Sequence, residues 1–274
     1  MSEEKSIPPE GFKQEENKNI SQPEPQSENM EVHKHPHRVM GEKKWPEYLL
    51  EFLMIFLAVF LGFIAENWRE HIVEHKRERG YMLSLIEDLK TDTGKIRNYT
   101  NARINKQSRM DSLADLLSSG KEKESGNEIY YFARFVTVNI PLLTSDGTLQ
   151  QLKNSGGFTL IRKQKVVDSI IAYDNAVKYI QYLDDKVQPI ENTFREIASD
   201  VFDTRFFKYD YSNIQIRPVG NPQLITNNSA MLNKISLQVR YEANFIERNI
   251  LNGRNLILRA IRLIELVKKE YHLE

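Results

Sequence analysis

The sequence predicts an all-α protein in which one N-terminal transmembrane helix continues into an elongated helical bundle with coiled-coil-like packing. Three observations predict this fold. A long apolar run lies near the N-terminus, apolar residues recur every three or four positions after it, and polar, turn-forming stretches separate the periodic segments. We therefore divide the 274 residues into a polar tail (1–44), a transmembrane helix (45–68) and an extramembrane helical domain (69–274).

The tail has the composition of a segment that does not fold by itself. It holds 5 of the chain's 10 prolines and many Glu, Gln, Asn and Ser residues, with almost no aliphatic pattern. Such a segment buries too little apolar area to offset the entropy that it loses on ordering. We therefore expect residues 1–44 to be disordered.

The apolar run YLLEFLMIFLAVFLGFIA (48–65) contains a single charged residue, Glu51. The chain's two tryptophans, Trp45 and Trp68, flank this run, and at about 1.5 Å per helical residue they lie roughly 34 Å apart. That length slightly exceeds a hydrocarbon core of about 30 Å, so both indoles would reach the headgroup layers. We therefore predict that the run spans a membrane. The predicted interface anchors are Trp45, Glu51, Asn67 and Trp68.

A cleaved signal peptide and a buried core helix are the alternatives for this run. A 44-residue leader is long for a signal peptide, and the run ends in Glu66, Asn67 and Trp68 instead of small residues. The core-helix alternative stays open because only residues 52–65 are continuously free of charge. Charge does not orient the span, since four Lys/Arg residues lie shortly before it and four shortly after it.

An apolar heptad stripe follows the run for about 50 residues. One position of the repeat holds Ile72, Ile86, Thr93, Thr100 and Ala114, and the partner position holds Met82, Leu89, Ile96, Met110 and Leu117. The stripe is weak at Arg103 and Gln107. Because no helix breaker separates it from the apolar run, we expect one long helix that ends at the polar stretch 118–128. The stripe predicts self-association along 72–117.

Shorter segments come next. IYYFARFVTVNIP (129–141) is rich in aromatic residues and ambiguous between helix and strand, with helix favoured. TSDGTLQQLKNSGG (144–157) opens with polar residues and closes with a glycine pair, which is typical of a short capped helix.

Two long helices complete the predicted domain. Apolar residues recur at three- and four-residue steps from Ile161 to about Phe202, and Pro189 is expected to bend this helix. An aromatic connector (206–222) follows. The helical period then returns from about Ser229 to the chain end, with Gly253 as a potential break or kink.

Two stretches of this sequence resemble a bacterial family called domain of unknown function 6090. The first is EYLLEFLMIFLAVFLGFIAENWRE, in which the matching residues are Glu51, Asn67, Trp68 and Glu70. The second is the Ser-Gly turn region within 144–175, in which they are Leu152, Ser155, Gly156, Leu160 and Ile161. The resemblance implies an inner-membrane anchor with a cytoplasmic N-terminus and a helical domain in the periplasm. It brings no expectation of an activity, because the family has no assigned chemistry.

One pattern points to a different function. His71, Glu74 and His75 fit the H-x-x-E-H pattern of inverted zinc peptidases, in which two histidines bind zinc and the glutamate is the general base. The simpler interpretation is a charged juxtamembrane helix whose His and Glu side chains are solvated. We favour that interpretation and predict no catalytic, metal or cofactor site.

Composition limits the remaining functions. The chain has no cysteine, which excludes disulfides and thiol chemistry. Its 38 basic and 38 acidic residues are interspersed, which gives no indication of nucleic-acid binding. We therefore predict a single-pass membrane protein whose partners are the lipid bilayer and another protein or a second copy. The alternatives are an extracytoplasmic ligand-sensing bundle and, more remotely, the zinc peptidase.

Overall fold

The computed structural model describes residues 44–207 and 214–274, and within them all regular secondary structure is helical. This confirms the predicted all-α class. Two short 3-10 helices lie at Gly157–Leu160 and Thr204–Phe206. The five α-helices of the described residues are α1 (Trp45–Ser118), α2 (Gly126–Ala133), α3 (Gly147–Asn154), α4 (Gln164–Ala198) and α5 (Ser229–Tyr271). The disorder predicted for residues 1–44 falls, except for Lys44, outside the described residues.

The described residues divide into two units, of which the first ends at Val59 and the second begins at Phe60. In the first unit the described residues 45–59 are helical, and every one of them is exposed. Phe52 and Phe56, one turn apart, stack with ring centroids 6.2 Å apart.

The second unit is built around two buried apolar clusters. The first cluster includes Met82, Ile180 and Leu263, and the second includes Met110, Phe194 and Ile246. From the first cluster to the second, residue numbers rise along α1 and α4 but fall along α5. Helix α4 therefore runs parallel to this part of α1, and α5 runs antiparallel to both.

The heptad stripe of α1 packs within its own chain. Most of its members from Met82 to Leu117 are buried in the two clusters, together with residues of α4 and α5. From Met82 to Leu117 the stripe is already covered by intramolecular contacts. The predicted self-association along 72–117 would therefore need another surface in this region. Ile72, at the N-terminal end of the stripe, is exposed.

A parallel α1–α4 pair requires the chain to return between them, and residues 134–163 form this return segment. Two buried cations of α1 hold its first part: Lys106 Nζ donates to the Val138 carbonyl at 2.9 Å, and Arg103 Nη2 donates to the Ile140 carbonyl at 2.9 Å. These contacts satisfy backbone carbonyls that lie outside any helix.

Carboxylates of α1 hold the later part of the return segment. Each accepts a hydrogen bond from a backbone N–H, and the α1 residues fall in number as the return segment rises. The pairs are Asp92 with Ser145 at 2.5 Å, Asp88 with Thr148 at 3.1 Å, and Glu78 with Arg162 at 2.9 Å. The polar side chains of α1 thus fix the path of the segment that leads into α4.

Several predicted boundaries change. The stretch 129–141 is helical only as far as Ala133, after which the chain turns into the return segment. Pro189 lies inside α4 without ending it. Gly253 does not interrupt α5; a Cβ there would come within 2.5 Å of Thr100 Oγ1, so glycine permits the close approach of α5 to α1.

Candidate functional site

The apolar run is not used in packing within the chain. Helix α1 contains an 18-residue window with a mean hydropathy of 2.4, of which 0% is buried. A core helix of a water-soluble domain would bury most of such a window, because large apolar patches exposed to water are unfavourable. By length and composition α1 is thus a helix that could cross a membrane, and its exposure speaks against the core-helix alternative.

Each predicted interface anchor lies on α1 and is exposed. In the first unit, Trp45 is the first residue of the helix and is 78% exposed, and Glu51 follows within two turns. In the second unit, Asn67 and Trp68 lie just after the end of the apolar run, and Trp68 is 69% exposed. These positions are compatible with the predicted anchoring role, which itself stays a prediction.

An open cleft of about 470 Å³ lies on α1 immediately after the apolar run. Arg162, the last residue but one before α4, closes one side of it. The α1 residues that line it are Trp68, His71, Ile72, His75, Lys76 and Arg79. Their spacing of three and four residues places all six on one face of the helix. We call this the juxtamembrane cleft.

Arg162 connects the return segment to this face of α1. Its Nη2 lies 3.1 Å from His71 Nδ1 and 3.4 Å from Glu74 Oε2. A guanidinium group has only donors, so His71 Nδ1 is the acceptor in the first contact. Arg162 thus places a cation at the edge of the cleft, although it comes more than 80 positions after the α1 residues that line the cleft.

The same contacts bear on the zinc-peptidase interpretation. An arginine stands against His71, and His71 Nδ1 is 3.9 Å from Glu74 Oε2. Among the described residues, no group of three His, Asp or Glu side chains is arranged to hold a metal ion. This geometry gives no support to a zinc site at His71, Glu74 and His75.

A second polar site is buried between the two apolar clusters. Asp184 of α4 accepts hydrogen bonds from Tyr99, Arg103 and Asn249, at 2.9, 2.5 and 2.6 Å, and thereby joins three helices. Burial raises the pKa of the Asp184 carboxyl, while the Arg103 guanidinium acts to lower it. Because this site is buried and joins three helices, it is typical of a polar site that stabilises the fold.

The neighbouring cation, Lys106, lies between two acidic residues. Its Nζ is 2.5 Å from Glu242 Oε1 on α5 and 3.4 Å from Glu191 Oε1 on α4. Glu242 is completely buried, and the Lys106 ammonium is the partner of its Oε1. Burial raises the pKa of Glu242 to about 7, although the Lys106 ammonium opposes this shift. Glu242 therefore changes charge near neutral pH.

A small cavity of about 100 Å³ lies beside α3, with Asp88, Asp92 and Tyr173 in its lining. Sites for small organic ligands usually occupy about 300–1,000 Å³. Asp92 already accepts hydrogen bonds from Tyr173 and Ser145, so its oxygens hold the fold together. This cavity gives the ligand-sensing alternative no particular support.

Sequence patterns alone did not identify the juxtamembrane cleft as one surface. The spacing of residues 68–79 is visible in the sequence as a helical face, but Arg162 joins it only through the tertiary fold. Searches against models of protein families, curated proteins and solved structures found no match for this chain. Its function is therefore inferred from its own residues.

Proposed function

We propose that this protein is a single-pass membrane protein whose helical domain, from about residue 69 onward, contacts another protein or a second copy of the chain. The observation that carries the proposal is the complete exposure of an 18-residue helical window with a mean hydropathy of 2.4. Lipid is the environment in which that surface has no hydration cost. Trp45 and Trp68, at the two ends of the run, suit the headgroup layers.

The proposed location is a bacterial inner membrane, with residues 1–44 in the cytoplasm and the helical domain in the periplasm. The support is the resemblance of 45–70 and of the Ser155-Gly156 turn to domain of unknown function 6090. The Lys/Arg tie around the span leaves orientation to this resemblance.

An exposed face of α5 supports the interaction role. Leu237, Leu251 and Leu258 are 45%, 54% and 50% exposed, although the helix buries its opposite face in both clusters. Their spacing of fourteen and seven residues places them on one side of α5. About half of each of these side chains stays exposed, unlike the buried heptad stripe of α1, and we propose this side as the contact surface.

Labelling of introduced cysteines tests both the crossing and its direction, because the natural chain has no cysteine. Two single variants are made, Ser27→Cys in the N-terminal tail and Ser119→Cys just after α1. Intact cells with a permeabilised outer membrane are treated with a membrane-impermeant maleimide. The expected result is labelling of the Ser119→Cys protein in intact cells and of the Ser27→Cys protein only after lysis.

The unmodified, cysteine-free chain is the control for background labelling. Labelling of both variants in intact cells, or of neither, would mean that residues 27 and 119 lie on the same side and would reject the crossing. The reverse pattern would keep the crossing and reject the proposed orientation.

A further inference from the structure

The juxtamembrane cleft exists because the partner helices of α1 end before α1 does. The heptad positions of the α1 stripe continue N-terminally from Met82 through Arg79, His75 and Ile72 to Trp68, but all four of these residues are exposed. Helix α5 ends at Tyr271, whose carbonyl accepts a hydrogen bond from Arg79 Nη1 at 3.0 Å. Beyond this level no helix of the described residues covers the face, and it is left open as a cleft.

Charge is segregated around this part of α1. Lys76, Arg79 and Arg162 line the cleft; none of its lining residues is acidic, although Glu74 at its edge pairs with Arg162 at 3.4 Å. At about 100° per residue, Glu66 and Glu70 lie roughly on the opposite side of the helix from Trp68. Although residues 66–79 contain equal numbers of Lys/Arg and Asp/Glu, the cleft itself is cationic.

The polarity of the cleft changes along its length. Trp68 and Ile72, 69% and 47% exposed, form the end nearest the apolar run, and the cations follow. Trp68 comes three residues after Ala65, the last residue of the run. Because helical side chains tilt toward the helix N-terminus, the long side chains of Lys76 and Arg79 lean back toward that end.

We infer that the juxtamembrane cleft binds the phosphate of an anionic phospholipid headgroup, with the Trp68 and Ile72 side chains against the lipid's apolar part. This rests on the proposed membrane crossing, which places the cleft at the headgroup layer. Arginine suits phosphate through its paired N–H donors, and lysine supplies a point charge. A free phosphate compound would use the cations but would leave the exposed Trp68 and Ile72 surface without a partner.

The test uses the full-length chain, purified in an uncharged detergent. Trp45→Phe leaves Trp68 as the single tryptophan, so its emission reports on the cleft. Micelles are doped with phosphatidylglycerol or with phosphatidylcholine of the same acyl chains, and apparent affinities are compared. We expect a preference for phosphatidylglycerol that falls roughly tenfold or more in Lys76→Gln/Arg162→Gln, since each replacement also removes a charge-assisted hydrogen bond to the phosphate.

The matched control is Arg69→Gln/Arg77→Gln, which removes the same charge from exposed positions of the same helix outside the cleft lining. It is expected to lower the preference clearly less than the cleft pair does, because its cations supply only general attraction to an anionic surface, and Lys76→Arg/Arg162→Lys is expected to keep the parent's preference. Circular dichroism of each variant confirms that the helices are intact.

Three results would overturn the inference. They are the absence of a preference for phosphatidylglycerol in the Trp45→Phe parent, an equal loss of that preference in the control pair, and displacement of the lipid by excess inorganic phosphate. The last result would assign the cleft to free anions. Sedimentation of each protein with cell membranes is measured first. A parent that stays in solution without detergent rejects the membrane crossing itself, whereas a sedimenting parent without headgroup preference rejects only the lipid site.

Discussion

Arg103 of α1 and Asp184 of α4 form an ion pair inside the helical domain, with Arg103 Nη2 2.5 Å from Asp184 Oδ1. The arginine side chain is 2% exposed and the aspartate 13%. Arg103 also donates to the Ile140 carbonyl, so the same guanidinium fixes the return segment. Removing one partner of such a buried ion pair destabilises a fold strongly, because the other partner is left buried without compensation.

Replacement of Arg103 by methionine is therefore expected to destabilise the protein by about 3–5 kcal/mol, because the buried Asp184 carboxyl and the Ile140 carbonyl both lose the Arg103 guanidinium as a partner. Thermal unfolding of the full-length protein in detergent measures this. Arg97→Met, at an exposed position of the same helix, is the control and should change stability by less than about 0.5 kcal/mol. Equal melting temperatures for the two variants would contradict the assigned role of the pair.

The pH dependence of stability should carry the signature of Glu242. Burial raises its pKa from 4.5 to about 7, so the folded state binds a proton in this range that the unfolded state releases. Its stabilising contribution is complete below about pH 4.5 and is lost as the pH rises through about 7. Glu242→Gln should remove a loss on the order of 1–3 kcal/mol between pH 5 and pH 8.

The measurement is the melting temperature at pH 5 and at pH 8 for wild type, Glu242→Gln and Glu247→Gln. Glu247 is exposed on the same helix, so its variant should follow the wild-type profile. Parallel profiles for all three proteins would show that Glu242 does not titrate in this range.

Replacement of Gly253 by alanine should change stability in the opposite direction from the same replacement at an ordinary helical glycine. A Cβ at this position would lie 2.5 Å from Thr100 Oγ1, so Gly253→Ala is expected to destabilise by about 1–3 kcal/mol. Gly94→Ala, with nothing within 4 Å of its Cβ, should stabilise by up to about 1 kcal/mol. Thr100→Ala/Gly253→Ala removes the clashing oxygen and should recover most of the loss. If Gly253→Ala stabilises the protein, α1 and α5 do not approach each other this closely.

The proposed contact face of α5 is tested by Leu251→Glu/Leu258→Glu. Because both side chains are about half exposed, the double variant should fold normally while losing association through this face. The readout is the molar mass of the detergent-solubilised protein by light scattering, over a range of concentrations. Leu83→Glu, at a similarly exposed position of α1, is the control. An unchanged mass in the double variant would remove this face from the proposal.

Apolar periodicity predicted the long helices because their buried faces repeat every three to four residues. Helix α1 ends at Ser118 and α5 begins at Ser229, as the pattern indicated. The interior polar residues were not predictable in the same way. Arg103 interrupts the heptad stripe and, in sequence, looks like a surface residue, yet it is buried because Asp184 and the Ile140 carbonyl lie opposite it.

The return segment shows a second limit of sequence patterns. Outside its helical parts the backbone of this segment is irregular and has no periodicity, and its path depends on carboxylates and cations more than 30 residues away, such as Lys106 for Val138. The position of Arg162 at the juxtamembrane cleft likewise depends on a distant residue, His71. Anchor residues such as Trp68 could be identified from their place beside the apolar run. The contact of Arg162 with the cleft-lining face of α1 could not be identified in this way.

The most direct test of the membrane crossing is the fractionation of the full-length protein from broken cells. Membranes are collected by ultracentrifugation and washed with alkaline carbonate, which releases peripheral proteins but not spanning ones. The protein should stay in the washed pellet and be released by detergent, and a variant lacking residues 45–68 should move to the supernatant. A full-length protein that is found in the supernatant without detergent would contradict the crossing.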